Sequence, residues 1–346
     1  MKKISIFISL FLVLSLLPAV GLLITGPSKP AANEVLSEAP SLLTKDGSFN
    51  MSVLDETEDY IGDHFAFRQE LATAWAELNA GLLKTSVENQ VILGSDGWLY
   101  FEETLDDYMG KGLSDEELRL IAERLAAMQA ELEAKGICFI FTIAPNKSSL
   151  YPEHMPDSIP KSRETSNVER LVPYLEEAGV RYVDLFSAFE GEEEILYFAT
   201  DSHWTSKGAA LAADTLLTAE DIHSDYFEAS FVTRQEHKGD LYEMLCPTGK
   251  RNERDMTCEN EFHFSCLNEP KGGNAITIRT ENGLANGRLY CWRDSFGISL
   301  YPYLAESFGA ATFSRSTSYD LTNEEVLNSD VVILEIVERN ISRLLP

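Results

Sequence analysis

The stretch RLYCWRDSFG at residues 288–297 decides the fold class, because it changes from a strand pattern to a turn and then to a helix. Its first half, Arg288–Trp292, is a short apolar run of the kind that forms buried strands. Residues 293–297 form a polar turn, and the apolar segment 298–308 that follows is predicted to be helical. Ser295 is therefore predicted to lie on a turn between a strand and a helix.

Similar apolar runs elsewhere in the chain indicate a parallel sheet. They occupy residues 137–143, 180–185, 309–313 and 331–336, with helical patterns between them, one of which is Ser206–Thr218. Apolar strands that alternate with helices are typical of a sheet covered on both faces. The sequence therefore predicts an α/β fold with a central, mostly parallel sheet. Residues 221–286 are polar and rich in glycine, and they are interpreted as an insertion or a small subdomain.

The N-terminus has the pattern of a membrane signal. Lys2 and Lys3 precede the uncharged segment Ile4–Thr25, which is long enough to cross a bilayer. This length favours an uncleaved signal anchor at residues 1–25 in the cell membrane, and a cleaved signal with a secreted protein is the alternative. Lysines on the short N-terminal side place the rest of the chain outside the cytoplasm.

The remaining chain divides into a predicted linker at residues 26–55 and a domain at residues 56–346. The linker is rich in proline, serine, alanine and glycine, which suits a stalk. Apolar residues recur at helical spacing over residues 56–83, so one long helix is expected to precede the core.

Composition excludes one class of partner. The formal net charge is −28, so the long-range field of the protein repels phosphate backbones and nucleic acid is not an expected partner. The five cysteines include a group at Cys246, Cys258 and Cys266, near His263. A zinc module there is a weak alternative, because no CxxC unit is present and the compartment is oxidising. A local disulfide within this group is favoured, and no metal or cofactor is expected.

The residues that carry chemistry are expected beyond the carboxyl ends of the strands. Ser295 occupies such a position, and nearby backbone N–H groups would face an oxyanion there. His203 lies in a polar run that ends just before Ser206–Thr218, and Asp201 stands two residues before it. Asp201 is predicted to hold one ring nitrogen of His203 while the other nitrogen takes the proton of Ser295. The alternative is that all three residues only cap helices.

The other histidines of the chain are not expected to belong to this site, because they lack a carboxylate in a comparable sequence context. This holds for His64, His154, His223 and His237.

Five blocks in order make the chain resemble a known family. They are DHFAFR at 63–68, GSDGWLY at 94–100, APNK at 144–147, DSHWT at 201–205 and DSF at 294–296. Together they resemble the alginate O-acetyltransferase group and its DHHW relatives, within the SGNH hydrolase-like superfamily. The resemblance implies an SGNH hydrolase-like three-layer sandwich.

The resemblance also implies roles for individual residues. Ser295 is the implied nucleophile, His203 the general base and Asp201 the residue that orients it. Tyr301 matches a tyrosine of the alginate enzymes' site, although packing alone would explain it. Arg293 stands where the wider superfamily has glycine, which leaves the oxyanion donors open.

Two more cations belong to these blocks, and each has two possible explanations. Lys147 and Arg68 are candidate contacts to an anion or a sugar, and salt bridges explain them equally well.

The expected reaction moves an acetyl group through a Ser295 acyl-enzyme onto a cell-surface or exported polysaccharide. Because acetyl-coenzyme A is cytoplasmic, the resemblance implies a membrane-bound O-acyltransferase as the acetyl donor. Two alternatives remain open at this point. One is a carbohydrate acetyl esterase with the same triad and water as acceptor, and the other is a non-catalytic polysaccharide-binding or assembly protein.

Overall fold

The computed structural model describes residues 2–30, 35–162, 165–268 and 276–346. Residues 31–34 of the predicted linker and 269–275 of the predicted insertion lie outside this described part. The chain divides into two compact units. One contains the chain up to Val91 together with Tyr242–Arg251, and the other contains Ile92–Leu241 and Asn252–Pro346.

The first unit is helical. Its helices are α1 (Lys2–Thr25), α2 (Val53–His64) and α3 (Arg68–Leu78), and a π-helical turn at Asn79–Leu83 follows α3. Within α1, Ile4–Thr25 is long and apolar enough to cross a membrane, which makes it a candidate span by length and composition. The single long helix expected over residues 56–83 is a wrong prediction. Phe67 has a left-handed backbone with φ of 62°, and this conformation separates α2 from α3.

The second unit contains the sheet that positions the candidate site. The strands of the chain are β1 (Val91–Leu93), β2 (Leu99–Phe101), β3 (Cys138–Ala144), β4 (Tyr182–Val183), β5 (Phe231–His237), β6 (Glu253–Cys258), β7 (Ser265–Cys266), β8 (Thr277–Glu281), β9 (Arg288–Trp292), β10 (Ala310–Ser314) and β11 (Val331–Val337). Among the described residues, seven of these strands form one sheet in the order β4-β3-β11-β9-β10-β8-β7.

The sheet is mixed. The neighbours among β4, β3, β11, β9 and β10 pair in parallel, and these are the five apolar runs predicted from the sequence. At one edge β8 pairs antiparallel with β10, and β7 pairs antiparallel with β8. Both of these strands come from residues 221–286, so part of the predicted insertion extends the sheet. The predicted α/β class is confirmed, with a mixed sheet.

Helices cover both faces of the sheet. The remaining helices are α4 (Leu105–Tyr108), α5 (Asp115–Glu133), α6 (Lys147–Leu150), α7 (Asn167–Glu177), α8 (Leu185–Glu190), α9 (Ser206–Thr218), α10 (Asp240–Leu245), α11 (Gly297–Ser307) and α12 (Glu324–Leu327). On β11, Ile333 belongs to a core shared with α9 and α11, while Leu334 belongs to a core shared with α5 and α7. Neighbouring strand residues point to opposite faces, so the sheet separates two apolar cores.

The rest of the predicted insertion forms an antiparallel ribbon of β5 and β6. The disulfide expected within this region is a wrong prediction, because the five cysteines, all in the described part of the chain, form no disulfide. Cys258 ends a strand of the ribbon and Cys266 ends a strand of the main sheet, so the two belong to different sheets.

Candidate active site

Ser295 lies on the turn between β9 and α11, where the sequence predicted a strand-to-helix turn. The Asp294 carboxylate holds this turn. One of its oxygens accepts the Phe296 N–H at 2.9 Å, and the other accepts the Val337 N–H at 2.6 Å. The Asp294 N–H donates to the carboxylate of Glu335 on β11 at 3.0 Å. The turn is therefore fixed to the end of the neighbouring parallel strand.

The Arg293 side chain also stabilises this turn. Its side chain is buried, and its Nη1 donates to the Asp294 carbonyl at 2.8 Å. Burial lowers the pKa of this guanidinium. Gly297 allows the close packing, since a Cβ on that residue would lie 2.6 Å from carbon atoms of the Arg293 side chain. Arg293 also lines a cavity of about 220 Å³ together with Asp294 and Glu335.

Asp201 and His203 form the predicted pair. Oδ1 of Asp201 accepts both the backbone N–H of His203 at 2.9 Å and its ring Nδ1 at 2.6 Å. Burial opposes the charged carboxylate, but hydrogen bonds from two histidine rings lower the pKa of Asp201 well below its usual range. Burial likewise opposes a charged imidazole, but the Asp201 carboxylate raises the pKa of His203 above its ordinary value of 6.5.

The two ring nitrogens of His203 have different surroundings. Nε2 is buried and has no hydrogen-bond partner among the described residues. The His203 ring centroid lies 4.8 Å from that of Phe296, the residue directly after Ser295. Because Nδ1 is held by Asp201, the tautomer with a lone pair on Nε2 is favoured. The structure thus brings His203 to the turn that carries Ser295.

Trp204 links the two motifs. Its Nε1 donates to the Ser299 hydroxyl on α11 at 2.7 Å. Its ring meets the Phe296 ring edge-on, with centroids 5.0 Å apart and an angle of 85°. The helix that follows, α9, begins where the Thr205 side chain accepts the Gly208 N–H at 3.1 Å. Thr205 is therefore a helix cap, while Asp201 and His203 bond to each other.

The predicted exclusion of His237 is wrong. Its Nε2 bonds to the second carboxylate oxygen of Asp201 at 2.8 Å, and its ring stacks on Phe198 with centroids 4.1 Å apart. The Asp240 N–H donates to the same oxygen at 2.9 Å. His237 ends β5 and Asp240 begins α10, in the region whose role the sequence left unassigned. The sequence analysis predicted no strand there, so nothing in it marked these two residues.

A glycine allows this region to reach the site. A Cβ on Gly239 would lie 2.2 Å from the Thr200 carbonyl oxygen, so only glycine fits there without a backbone shift. On the other side, a Glu253 oxygen accepts the Ala199 N–H at 2.7 Å, and the second accepts the Thr200 N–H at 2.6 Å. The segment before Asp201 is thus held by the β5–β6 ribbon.

Asp240 extends the network. Its carboxylate accepts the N–H and the hydroxyl of Ser202 at 2.7 and 2.6 Å. Burial and the neighbouring charge of Asp201 raise the pKa of Asp240. Asp201, His203 and Asp240 offer atoms within 4.8 Å of one another that have the chemistry of metal ligands. In this structure Nδ1 of His203 bonds to Asp201, and the Asp240 carboxylate accepts the Ser202 hydroxyl, so hydrogen bonds join these residues.

Lys147, a candidate substrate contact, is buried beneath the same segment. Its ammonium group donates to the carbonyls of Phe198 and Ala199 at 3.0 Å each and to that of Asp201 at 2.5 Å. It also lies 5.3 Å from the centre of the Tyr100 ring. Burial lowers the pKa of Lys147 to about 8. Its contacts in this structure are those of a residue that positions Asp201.

The two other candidate residues are Tyr301, which packs against aromatic rings, and Arg68, which pairs with a carboxylate. Tyr301 on α11 is half-buried, and its ring meets those of Phe264 and Phe313 at 6.1 and 5.6 Å. Burial and the nearby Cys266 raise the pKa of Tyr301. Arg68 belongs to the helical unit, where its guanidinium lies 4.0 Å from the Asp63 carboxylate.

Comparison with known proteins agrees with this architecture. The model of a family described as the SGNH hydrolase-like domain of the acetyltransferase AlgX matches residues 91–261. A probable alginate O-acetylase AlgJ of Pseudomonas syringae pv. tomato is 29% identical over 199 residues, which cover 54% of this chain and 49% of the relative. The resemblance stated from the sequence blocks is confirmed. The chain spans about half the length of this curated relative.

Two solved structures share the fold. Bacillus cereus PatB1, solved with a sulfonyl adduct, has a TM-score of 0.57 at 18% identity and covers 73% of this chain and 97% of its own. The O-acetyltransferase domain of Pseudomonas putida AlgJ has a TM-score of 0.51 at 19% identity and covers 73% of this chain and 92% of its own.

Proposed function

With the match of residues 91–261 to the SGNH hydrolase-like domain of the acetyltransferase AlgX as the premise, we propose that this protein is a polysaccharide O-acetyltransferase with Ser295 as its nucleophile. The kinship with a probable alginate O-acetylase supports acetyl transfer to a sugar polymer. The observation that carries the proposal is the hydrogen bonding of the two His203 ring nitrogens. One ring nitrogen is fixed by Asp201, and the other is buried and unpartnered among the described residues beside the Ser295 turn.

In the first half of the reaction, the Ser295 hydroxyl attacks the carbonyl carbon of an activated acetyl donor. His203 takes the hydroxyl proton on Nε2, and the resulting imidazolium is stabilised by the Asp201 carboxylate. The oxyanion of the tetrahedral intermediate forms at the N-terminal end of α11, where the helix dipole favours negative charge. The donor's leaving group departs with the proton from His203, and an acetyl ester on Ser295 remains.

In the second half, a sugar hydroxyl replaces the leaving group. His203 removes its proton, the sugar oxygen attacks the acetyl carbonyl, and Ser295 recovers the proton as the new ester leaves. Water competes in this step, so transfer requires that the acceptor occupy the site first. The roles of Asp201 and His203 are the same in both halves.

The proposed location is the outer face of the cell membrane. The candidate span Ile4–Thr25 would anchor the chain, with Lys2 and Lys3 on the cytoplasmic side. Acetyl-coenzyme A is not available outside the cytoplasm, so we propose that a membrane-bound O-acyltransferase supplies the acetyl group. The polysaccharide acceptor and this donor are the two expected partners.

The test follows the acetyl group. The purified protein is incubated with a chromogenic acetyl ester, with and without oligosaccharide acceptors, and mass spectrometry of peptides locates the modified residue. We expect acetyl-Ser295 that is discharged faster by a sugar than by water. Discharge by water alone would establish an esterase. An unmodified Ser295 with every donor, and no ester cleavage, would overturn the proposal in favour of a binding protein.

A further inference from the structure

A second cavity lies along the same edge of the sheet as the Ser295 turn. It has a volume of about 370 Å³ and is lined by residues that directly follow three parallel strands. Glu338 follows β11, Asn146 lies two residues beyond β3, and Asp184 follows β4. Volumes of this size are typical of small-ligand sites, and such sites occur at the carboxyl ends of parallel strands.

Two pairs of neighbouring residues connect the cavity to the catalytic pair. Glu338 lines the cavity, and the guanidinium of the next residue, Arg339, lies 5.7 Å from the ring centre of Phe296. Asn146 lines the cavity, and the next residue, Lys147, holds the backbone of Asp201. A ligand in the cavity would therefore lie next to the groups that position the reaction.

Two polar atoms at the cavity are not satisfied by the protein. Asn146 is 2% exposed, and its Oδ1 has no hydrogen-bond partner among the described residues. The hydroxyl of Tyr182 is also buried and unpartnered within the described chain. An unsatisfied buried polar atom costs about 1–3 kcal/mol, so such atoms point to a bound partner. Oδ1 is an acceptor, and it requires a donor from the ligand.

The charge of the cavity narrows the class of ligand. Five acidic side chains and one ammonium group line it, and these are Asp107, Glu169, Asp184, Glu190 and Glu338 together with Lys161. Burial raises the pKa of Glu338 to about 7, so this group is only partly ionised at neutral pH. The whole chain carries a formal charge of −28, which strengthens the negative field. A polyuronate such as alginate would be repelled here, whereas hydroxyl and ammonium donors would be attracted.

We propose that this cavity binds an amine-bearing sugar, a hexosamine unit of the acceptor polysaccharide. This inference rests on the proposed acetyltransferase function and adds to it the class of acceptor. The ligand's ammonium group faces the carboxylates, and its hydroxyls serve Asn146 and Tyr182. The relatives named for alginate act on a polyanion, so this chain would differ from them in the sign of its acceptor's charge.

The test uses the full-length chain and isothermal titration calorimetry without an acetyl donor. The probes are tetrasaccharides of glucosamine, N-acetylglucosamine and mannuronate, which are cationic, neutral and anionic. We expect glucosamine to bind about tenfold tighter than N-acetylglucosamine, and mannuronate not to bind. In Glu190→Lys the affinity for glucosamine falls by about tenfold or more, because an exposed carboxylate of the lining becomes a cation.

Two further variants make the result specific. Glu192→Lys changes the same charge at an exposed residue outside the lining, and its affinity should stay within about twofold. Tyr182→Phe removes a buried hydroxyl without a partner among the described residues, so Tm of the unliganded chain should not fall, while the affinity falls roughly three- to tenfold.

Three outcomes would overturn the inference. They are equal affinity for the cationic and neutral sugars, equal loss in the two lysine variants, or unchanged affinity in Tyr182→Phe. Failure of the inference is distinguishable from failure of the proposed function. Acetyl-Ser295 that forms normally, without any preference for glucosamine, would reject the acceptor class and leave the acetyl-transfer mechanism standing.

Discussion

The turn after β9 and the segment after β5 both serve the candidate site, but they are held in different ways. The Ser295 turn lies at the end of a parallel strand with neighbours on both sides, and its hydrogen bonds go to β11. His237 and Asp240 lie at the end of a two-stranded ribbon and bond to Asp201. The sheet therefore sets the position of Ser295, the proposed nucleophile, while contacts between loops set the orientation of His203, the proposed base.

Among these variants, Ser295→Ala is expected to have the largest effect, and it tests the turn after β9 alone. Because the nucleophile itself is lost, we expect the rate of acetyl transfer to fall by roughly 10⁶-fold, with Tm unchanged. Turnover of a chromogenic ester measures the loss, and Ser342→Ala, at an exposed serine, is the control that should keep full activity. A variant that retained a tenth of the activity would remove Ser295 from the reaction.

Asp201→Asn tests the point where the two regions meet. We expect a fall in kcat of roughly 10⁴-fold, because the amide no longer favours the reactive tautomer of His203. The carboxylate raises the pKa of His203, so the wild-type activity should rise with pH through a pKa above 6.5. In the variant this limb moves to lower pH.

The matched comparison for that variant is Asp240→Asn. The amide oxygen at residue 240 still accepts the Ser202 N–H, so the loss of rate should be far smaller than in Asp201→Asn. Equal losses in the two variants would mean that both carboxylates orient the base.

His237→Gln tests the ribbon alone. A hydrogen bond to a charged group is worth about 1.5–3 kcal/mol, so we expect kcat/KM to fall by about tenfold or somewhat more. His263→Gln is the matched control, since His263 also pairs with a carboxylate, that of Glu306 at 2.8 Å. Activity in His237→Gln equal to that of the control would show that the ribbon only covers the site.

Glu338→Gln tests the sheet edge through stability, and it is expected to have the smallest effect on activity. Burial raises the pKa of Glu338 to about 7 from an ordinary 4.5. Its neutral form therefore contributes stability that is full below pH 4.5 and is lost as the pH rises through 7.

Glutamine does not ionise, so the variant should be more stable than the wild type by roughly 3 kcal/mol at pH 8 and equal to it near pH 4. Urea unfolding at the two pH values measures this difference. The same difference at both pH values would show that Glu338 does not titrate in the folded protein.

The parts of the fold that sequence patterns predicted are those with local causes. The five parallel strands are continuous apolar runs because both faces of the sheet are covered. Asp201 and His203 stand two residues apart, so their pairing follows from one short segment. Ser295 was placed by the rule that a polar turn after a buried strand lies at the edge of the sheet.

The missed parts depend on contacts between distant residues. His237 is 36 residues from Asp201 in the chain, and its strand is a polar ribbon without an apolar pattern. The break between α2 and α3 lies at Phe67, which is neither glycine nor proline, so the sequence did not indicate it. The buried contacts of Lys147 join carbonyls more than 50 residues away, which no spacing rule describes.

Trp204 gives this site an optical property. Trp204 is 1% exposed, its indole N–H donates to Ser299, and its ring lies against Phe296. The indole therefore belongs to the segment that carries His203 and also contacts the first turn after Ser295. If Ser295 gains and loses an acetyl group as proposed, the dipoles around this ring change at each step. In a chain that keeps Trp204 as its only tryptophan, emission intensity would follow each acylation and deacylation in real time, without a chromogenic substrate.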